Sequence, residues 1–198
     1  MGSGEIAYNV IVGSDRSQSV FGYRTWQGFR GSTVTFHHNT VVGLASLVAG
    51  GNNNQNGANA MTLHAFDNVL DVDVLFFENS SVAGSGKKVS HIKDGSFFKN
   101  NAYHLVDESV IADGAATASD EYNLLEMLDF SDNYPLASPP SFISTALASS
   151  GYFVPKQRDN PTWATKKRAL TSYGGVAYPD FIGARKYRPI PGARMELR

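Results

Sequence analysis

Phe36-His37-His38-Asn39-Thr40-Val41-Val42-Gly43 places one asparagine between two short β-prone runs, and the pattern recurs along the chain. It aligns with Ile6-Ala7-Tyr8-Asn9-Val10-Ile11-Val12-Gly13, Phe76-Phe77-Glu78-Asn79-Ser80-Ser81-Val82 and Phe98-Lys99-Asn100-Asn101-Ala102-Tyr103-His104. Three positions before the asparagine stands Ile6, Phe36, Phe76 or Phe98. Two positions after it stands Ile11, Val41, Ser81 or Tyr103, and the first three copies carry valine at the next position. A self-similar unit with matching apolar columns predicts strands that stack on one another. The asparagine suits a sharp corner because it tolerates left-handed backbone better than other non-glycine residues. Its side-chain amide can also bond to the equivalent amide of the next copy.

The asparagines lie 30, 40 and 22 residues apart, so the units are unequal. The long gap contains Gly50-Gly51-Asn52-Asn53-Asn54-Gln55-Asn56-Gly57, a polar run with nothing to bury, expected to project as a loop. A rival register uses Asn68 in place of Asn79 but puts Ala65 in the phenylalanine column; the aromatic column favours Asn79. Each unit then has an additional strand before its corner pair, at residues 20–25, 60–66 and 89–93. One helix is expected, over residues 120–130, where Leu124, Leu125 and Leu128 share a face after the acidic start Asp120-Glu121.

Composition agrees with many strands joined by turns. Only 18% of the 198 residues are charged, 19 are glycine, and 42% are hydrophobic, enough for a sizeable core. The formal net charge of −1 removes the basic excess that nucleic acid or an anionic membrane would require. There is no cysteine, which excludes disulfides and thiolate chemistry. No apolar run approaches a bilayer span. Met1-Gly2-Ser3-Gly4 reads equally as a native start and as a cloning remnant. Phosphate-loop, dinucleotide and serine-hydrolase elements do not occur; Gly84-Ser85-Gly86-Lys87-Lys88 is expected to be a flexible turn.

Three strands per unit, an asparagine corner and inward Ile, Val and Phe columns resemble the right-handed parallel β-helix. This fold is known in polysaccharide lyases, some glycoside hydrolases and phage tailspikes. Pro140-Ser141-Phe142-Ile143, Gly151-Tyr152-Phe153-Val154-Pro155 and Asp159-Asn160-Pro161 resemble the DPxF, GDFxL and GSPA elements of bacterial β-helix proteins related to chondroitinase B and alginate lyases. Pro179-Asp180-Phe181-Ile182-Gly183-Ala184-Arg185-Lys186-Tyr187 resembles the terminal DIGAxEY motif of that group, with Phe181 inserted and Lys186 in place of glutamate.

The resemblance implies an all-β parallel solenoid of about four coils over residues 1–112 and an irregular capping extension over residues 113–198. So few coils, with an open first coil, imply missing N-terminal coils or a homo-oligomer that covers the exposed edges. The implied protein is the C-terminal part of a larger one, secreted or associated with a cell surface or virion.

Equivalent outward positions of stacked units lie about 4.8 Å apart, so successive units can assemble one groove. Tyr23, Arg24 and Trp26, then His64 and Asp67, then His91, Lys93 and Asp94 form the expected cationic and aromatic strip. Such a strip suits an acidic polysaccharide cleaved by β-elimination. Arg24 or Lys93 would neutralise the uronate carboxylate, and His64, His91 or Tyr23 would abstract the proton; Trp26 and Asp67 would contact the sugar. The alternative is a noncatalytic structural, surface or virion module in which the same residues form an ordinary solvated face.

No cofactor is expected. Asp67, Asp71, Asp73 and Glu78 are the carboxylates calcium would use, although no spaced acidic loop resembles a calcium motif. His37 and His38 are not expected to share a metal, since adjacent strand residues face opposite ways: His38 is placed at a corner and His37 in solvent. Lys166-Lys167-Arg168 and the basic C-terminal end read as a solvated tail.

Overall fold

In the computed structural model, residues 3–23, 32–50, 61–78, 92, 95–106, 112–113, 128–142, 145, 172–173 and 176–177 are described. The strands are β1 (Ser3–Ala7), β2 (Val10–Val12), β3 (Ser19–Tyr23), β4 (Thr33–His37), β5 (Thr40–Gly50), β6 (Thr62–Phe66) and β7 (Val69–Glu78). They continue with β8 (Ser96–Lys99), β9 (Ala102–Leu105), β10 (Ala112–Asp113), β11 (Leu128–Ser131), β12 (Tyr134–Pro135), β13 (Ser172–Tyr173) and β14 (Val176–Ala177). The described residues are all-β, with no helix among them.

Two parallel sheets carry the fold. One has the order β1-β4-β6-β8-β11 and the other β12-β9-β7-β5-β2, with β3 joined to β5 and β10 to β7. Five times the chain passes from the first sheet to the second through a two-residue corner: Tyr8-Asn9, His38-Asn39, Asp67-Asn68, Asn100-Asn101 and Asp132-Asn133. The register is therefore the one through Asn68, not Asn79. Residues 60–66, expected to form an extra strand, mostly belong to β6 and lead straight into the third corner. The extra strand near residue 20 is present as β3, paired with the far half of β5. The fifth corner and its strands lie beyond residue 112 and continue both sheets. Leu128, Asp129 and Phe130, the end of the expected helix, are in β11; residues 120–127 lie outside the described residues.

The ladder asparagine is not the left-handed residue. Positive φ falls on the residue before it: Tyr8 (60°), His38 (53°), Asp67 (56°), Asn100 (53°) and Asp132 (57°). What the asparagine supplies is its amide. Asn39 Oδ1 accepts from the backbone N–H (2.9 Å) and the Nδ2 (3.1 Å) of Asn9. Asn68 Oδ1 accepts likewise from Asn39, Asn101 Oδ1 from Asn68, and Asn133 Oδ1 from Asn101. The Nδ2 groups also donate to strand-end carbonyls, as Asn68 does to Phe36 and Phe66 at 3.0 Å each. Polar groups at a buried bend thus pair with their copies one unit away, which spares the cost of burying them unsatisfied.

Inward columns complete the core. Ile6, Phe36, Ala65, Phe98 and Phe130 are in register along the first sheet, and Ile11, Val41, Leu70 and Tyr103 along the second. Ala65 interrupts the aromatic column, while Phe76 from the far end of β7 packs edge-on against Phe98 at 6.0 Å. Beyond the corner, Gly43 (φ +74°) forms a bulge in β5 over Gly13. A Cβ at Gly43 would come within 2.7 Å of the Gly13 carbonyl oxygen, so neither position admits a side chain.

Asn68 is fully buried in the middle of the ladder. Asn68→Ala strands the Asn39 backbone N–H, which donates to Asn68 Oδ1, and is expected to cost about 2–4 kcal/mol. Asn9→Ala, at the exposed end, should cost under about 1 kcal/mol. Denaturant titration of both variants would check the difference, and equal losses would refute the ladder's role.

Candidate functional site

The second sheet has an outward column three positions after each ladder asparagine: Val12, Val42, Asp71 and His104. Asp71 and His104 are direct register partners on β7 and β9. Their side chains meet at 2.7 Å, Asp71 Oδ1 accepting from His104 Nδ1–H. A ring that donates through Nδ1 to a carboxylate presents its Nε2 away from it. The second oxygen, Oδ2, accepts from the Arg16 guanidinium at 2.7 Å, and Arg16 also reaches Asp73 Oδ1 at 3.0 Å.

Arg16 arrives from the connection between β2 and β3. Its own backbone is left-handed (φ 54°), an uncommon conformation for a long side chain. The preceding Asp15 accepts from both the backbone N–H and the hydroxyl of Ser17, which hold its carboxyl below the usual range. Gln18 then ties the connection to β5 through Ala45 N–H at 2.8 Å. Asp71 is nearly buried, its side chain 6% exposed, whereas Arg16 is 32% exposed and Asp73 37%. The result is a carboxylate hub that orients one imidazole and anchors one guanidinium, with the open side of the cluster toward solvent.

A second polar chain runs along the corners of the first units. Glu5 Oε1 accepts from His37 Nε2–H at 2.6 Å, and His37 Nδ1 lies 2.8 Å from His38 Nδ1, one of the two carrying the shared proton. His38 Nε2 stands 3.7 Å from Asp67 Oδ2, and Asp67 Oδ1 accepts from Asn100 Nδ2. The two histidines touch because the left-handed corner turns His38 back, and His37 is buried rather than in solvent, stacked on Phe66 at 4.9 Å. Burial, reinforced by His37, lowers the His38 pKa from 6.5 to about 3.

The expected strip is only partly visible. Arg24, Trp26, His91 and Lys93 lie outside the described residues, as does the side chain of Tyr23. His64 is half-buried and stacked on Phe97 at 4.6 Å, and burial lowers its pKa against an opposing backbone hydrogen bond at Gly95. Asp67 is fully buried at its corner and cannot contact a ligand from there. Asp71 and Asp73, considered for calcium, are taken up by Arg16 and His104. Among the described residues no group of three or more metal-binding side chains converges, and no helix is long and apolar enough to cross a membrane. The Asp71 and His104 pair was missed because the Asn79 register puts Val82 in the column that Asp71 occupies.

No known protein family, curated protein or solved structure matches the chain.

His38 sets a pH dependence. Its folded pKa is depressed, so its contribution is full above pH 6.5 and is lost as pH falls toward 3, where only the unfolded chain takes up the proton. The expected slope from this group is about 1.4 kcal/mol per pH unit at most. His38→Asn, which keeps a residue tolerant of positive φ, should flatten unfolding free energy measured between pH 6 and 4. An unchanged slope would refute the assignment.

Proposed function

We propose that the chain is a right-handed parallel β-helix whose second sheet presents a carbohydrate-active face that binds an acidic polysaccharide and cleaves it by β-elimination. The observation that carries this reading is the Asp71 and His104 pair in register on adjacent strands, with Arg16 on the same carboxylate. Outward positions repeating along a stack suit an extended polymer better than a small molecule.

In this reading His104 Nε2 removes the proton on the carbon next to the uronate carboxylate. The electron pair left by that C–H bond forms the C=C bond as the glycosidic C–O bond breaks, and the leaving alkoxide takes a proton from water. Asp71 keeps the ring in the required tautomer and stabilises the imidazolium. The two contacts of Arg16 to Asp71 and Asp73 engage two of the five guanidinium N–H donors, leaving others for the substrate carboxylate. Arg24 and Lys93 are further cations for the same task. The location that goes with this activity is outside the cell, on a surface or a virion.

A noncatalytic structural module is the second reading, and one observation favours it. Arg16 and His104 both bind Asp71, joining three units, which is also what a cross-brace would do. Absorbance near 235 nm, where unsaturated uronates absorb, would be followed with a panel of acidic polysaccharides, with and without calcium. The expected result is a rise that His104→Ala lowers about 100-fold or more while the melting temperature hardly moves. A flat trace across the panel, with a lower melting temperature for Arg16→Ala, would establish the brace.

A further inference from the structure

The two carboxylates that hold Arg16 are not equivalent. Asp71 and Asp73 stand two positions apart on β7 and share its outward face, about 6.6 Å apart along the strand. Asp71 is the fixed partner. Its side chain is 6% exposed, one oxygen accepts from Arg16 Nη2 at 2.7 Å, and the other accepts from His104 at 2.7 Å. Asp73 holds Arg16 by a single contact, Nη1 to Oδ1 at 3.0 Å, and is 37% exposed. Neither the second oxygen of Asp73 nor Arg16 Nε has a partner among the described residues. Charge makes a further difference. While His104 is neutral, as removing a proton requires, one guanidinium serves two carboxylates, and the surplus negative charge lies at the exposed one. Asp15, beside Arg16 in the chain, is taken up by Ser17. The rival of any acidic ligand for Arg16 is therefore Asp73.

We propose that Asp73 is an internal stand-in for the ligand's carboxylate: it pairs with Arg16 in the free protein, and a uronate displaces it while Asp71 keeps hold of the guanidinium. The incoming carboxylate would use the free N–H donors together with the one that Asp73 gives up. The exchange costs little, because an exposed ion pair with one contact is weak. A ligand carboxylate is not tied to a strand, so it can take two parallel N–H donors at once, which Asp73 does not. A neutral sugar brings no charge to replace and leaves Asp73 where it is. Asp73 thereby lowers the affinity for uronates, and its return to Arg16 helps to expel a product that keeps its carboxylate. The inference rests on the reading of this face as one for acidic polysaccharides, but not on their cleavage.

The test adds sodium glucuronate, or glucose as its neutral counterpart, to the full chain at constant ionic strength. The carboxyl carbon resonance of Asp73, assigned by its loss in Asp73→Asn, is followed by nuclear magnetic resonance. Glucuronate should shift it saturably and glucose should not. Asp73→Asn should bind glucuronate about two- to fivefold more tightly, as loss of one exposed competing ion pair implies. A resonance that glucuronate leaves unmoved, or an Asp73→Asn variant that binds no more tightly, would overturn the proposal. A rise at 235 nm with an unmoved Asp73 resonance would sink the exchange and leave cleavage standing. A saturable shift with a flat trace at 235 nm would do the reverse.

Discussion

Everything in this fold depends on solving one problem five times: turning a strand through a tight corner without leaving buried polar groups unpaired. A bend exposes backbone N–H and C=O groups that a ladder would otherwise use, and here the bend is packed against its neighbours rather than against water. The solution divides the labour between two adjacent residues. The first takes the left-handed conformation and makes the turn. The second, always asparagine, offers one acceptor and two side-chain donors, and so closes hydrogen bonds both to its own strand and to the next corner. Because each corner is completed by the following one, the five units hold one another in register, and the apolar columns align as a consequence.

That division explains what could and could not be read from the residues. The asparagine is chemically necessary, so it stands out, and an all-β chain of repeated units was legible from it. The turning residue is Tyr, His, Asp, Asn and Asp in succession; only backbone geometry is shared, and backbone geometry leaves no common side chain to align. The choice between Asn68 and Asn79 was decided on the aromatic column, yet a column tolerates Ala65 when Phe76 supplies volume from the other sheet. Asn68 and Asn79 meet the polar requirement of a corner equally, and what favours Asn68, and with it Asp71 beside His104, is the more even spacing of 29 and 33 residues. The end of the expected helix is a strand for a related reason: Leu128 and Phe130, two positions apart, also satisfy one face of a short strand.

The candidate site shows the same logic on the outer face. Asp71 and His104 are distant in sequence and unremarkable in their local context, but a parallel register makes them neighbours with no special loop. Arg16 is brought in by a connection whose own hydrogen bonds hold a strained backbone, so the cluster draws on the first, third and fourth units. The buried chain from Glu5 to Asn100 follows the corners instead, and within it burial, reinforced by His37, disfavours the charged form of His38.

Along the asparagine ladder each corner bonds only to the corners before and after it, at a nearly constant distance along the chain of 29 to 33 residues from one corner to the next. Cooperativity in such an array is passed from neighbour to neighbour rather than through a common centre. Opening therefore proceeds inward from whichever end frays, and amide protons at the Asp67-Asn68 corner, flanked on both sides, exchange only after an outer unit has separated. Solvent reaches the middle of the molecule by peeling, not by breathing.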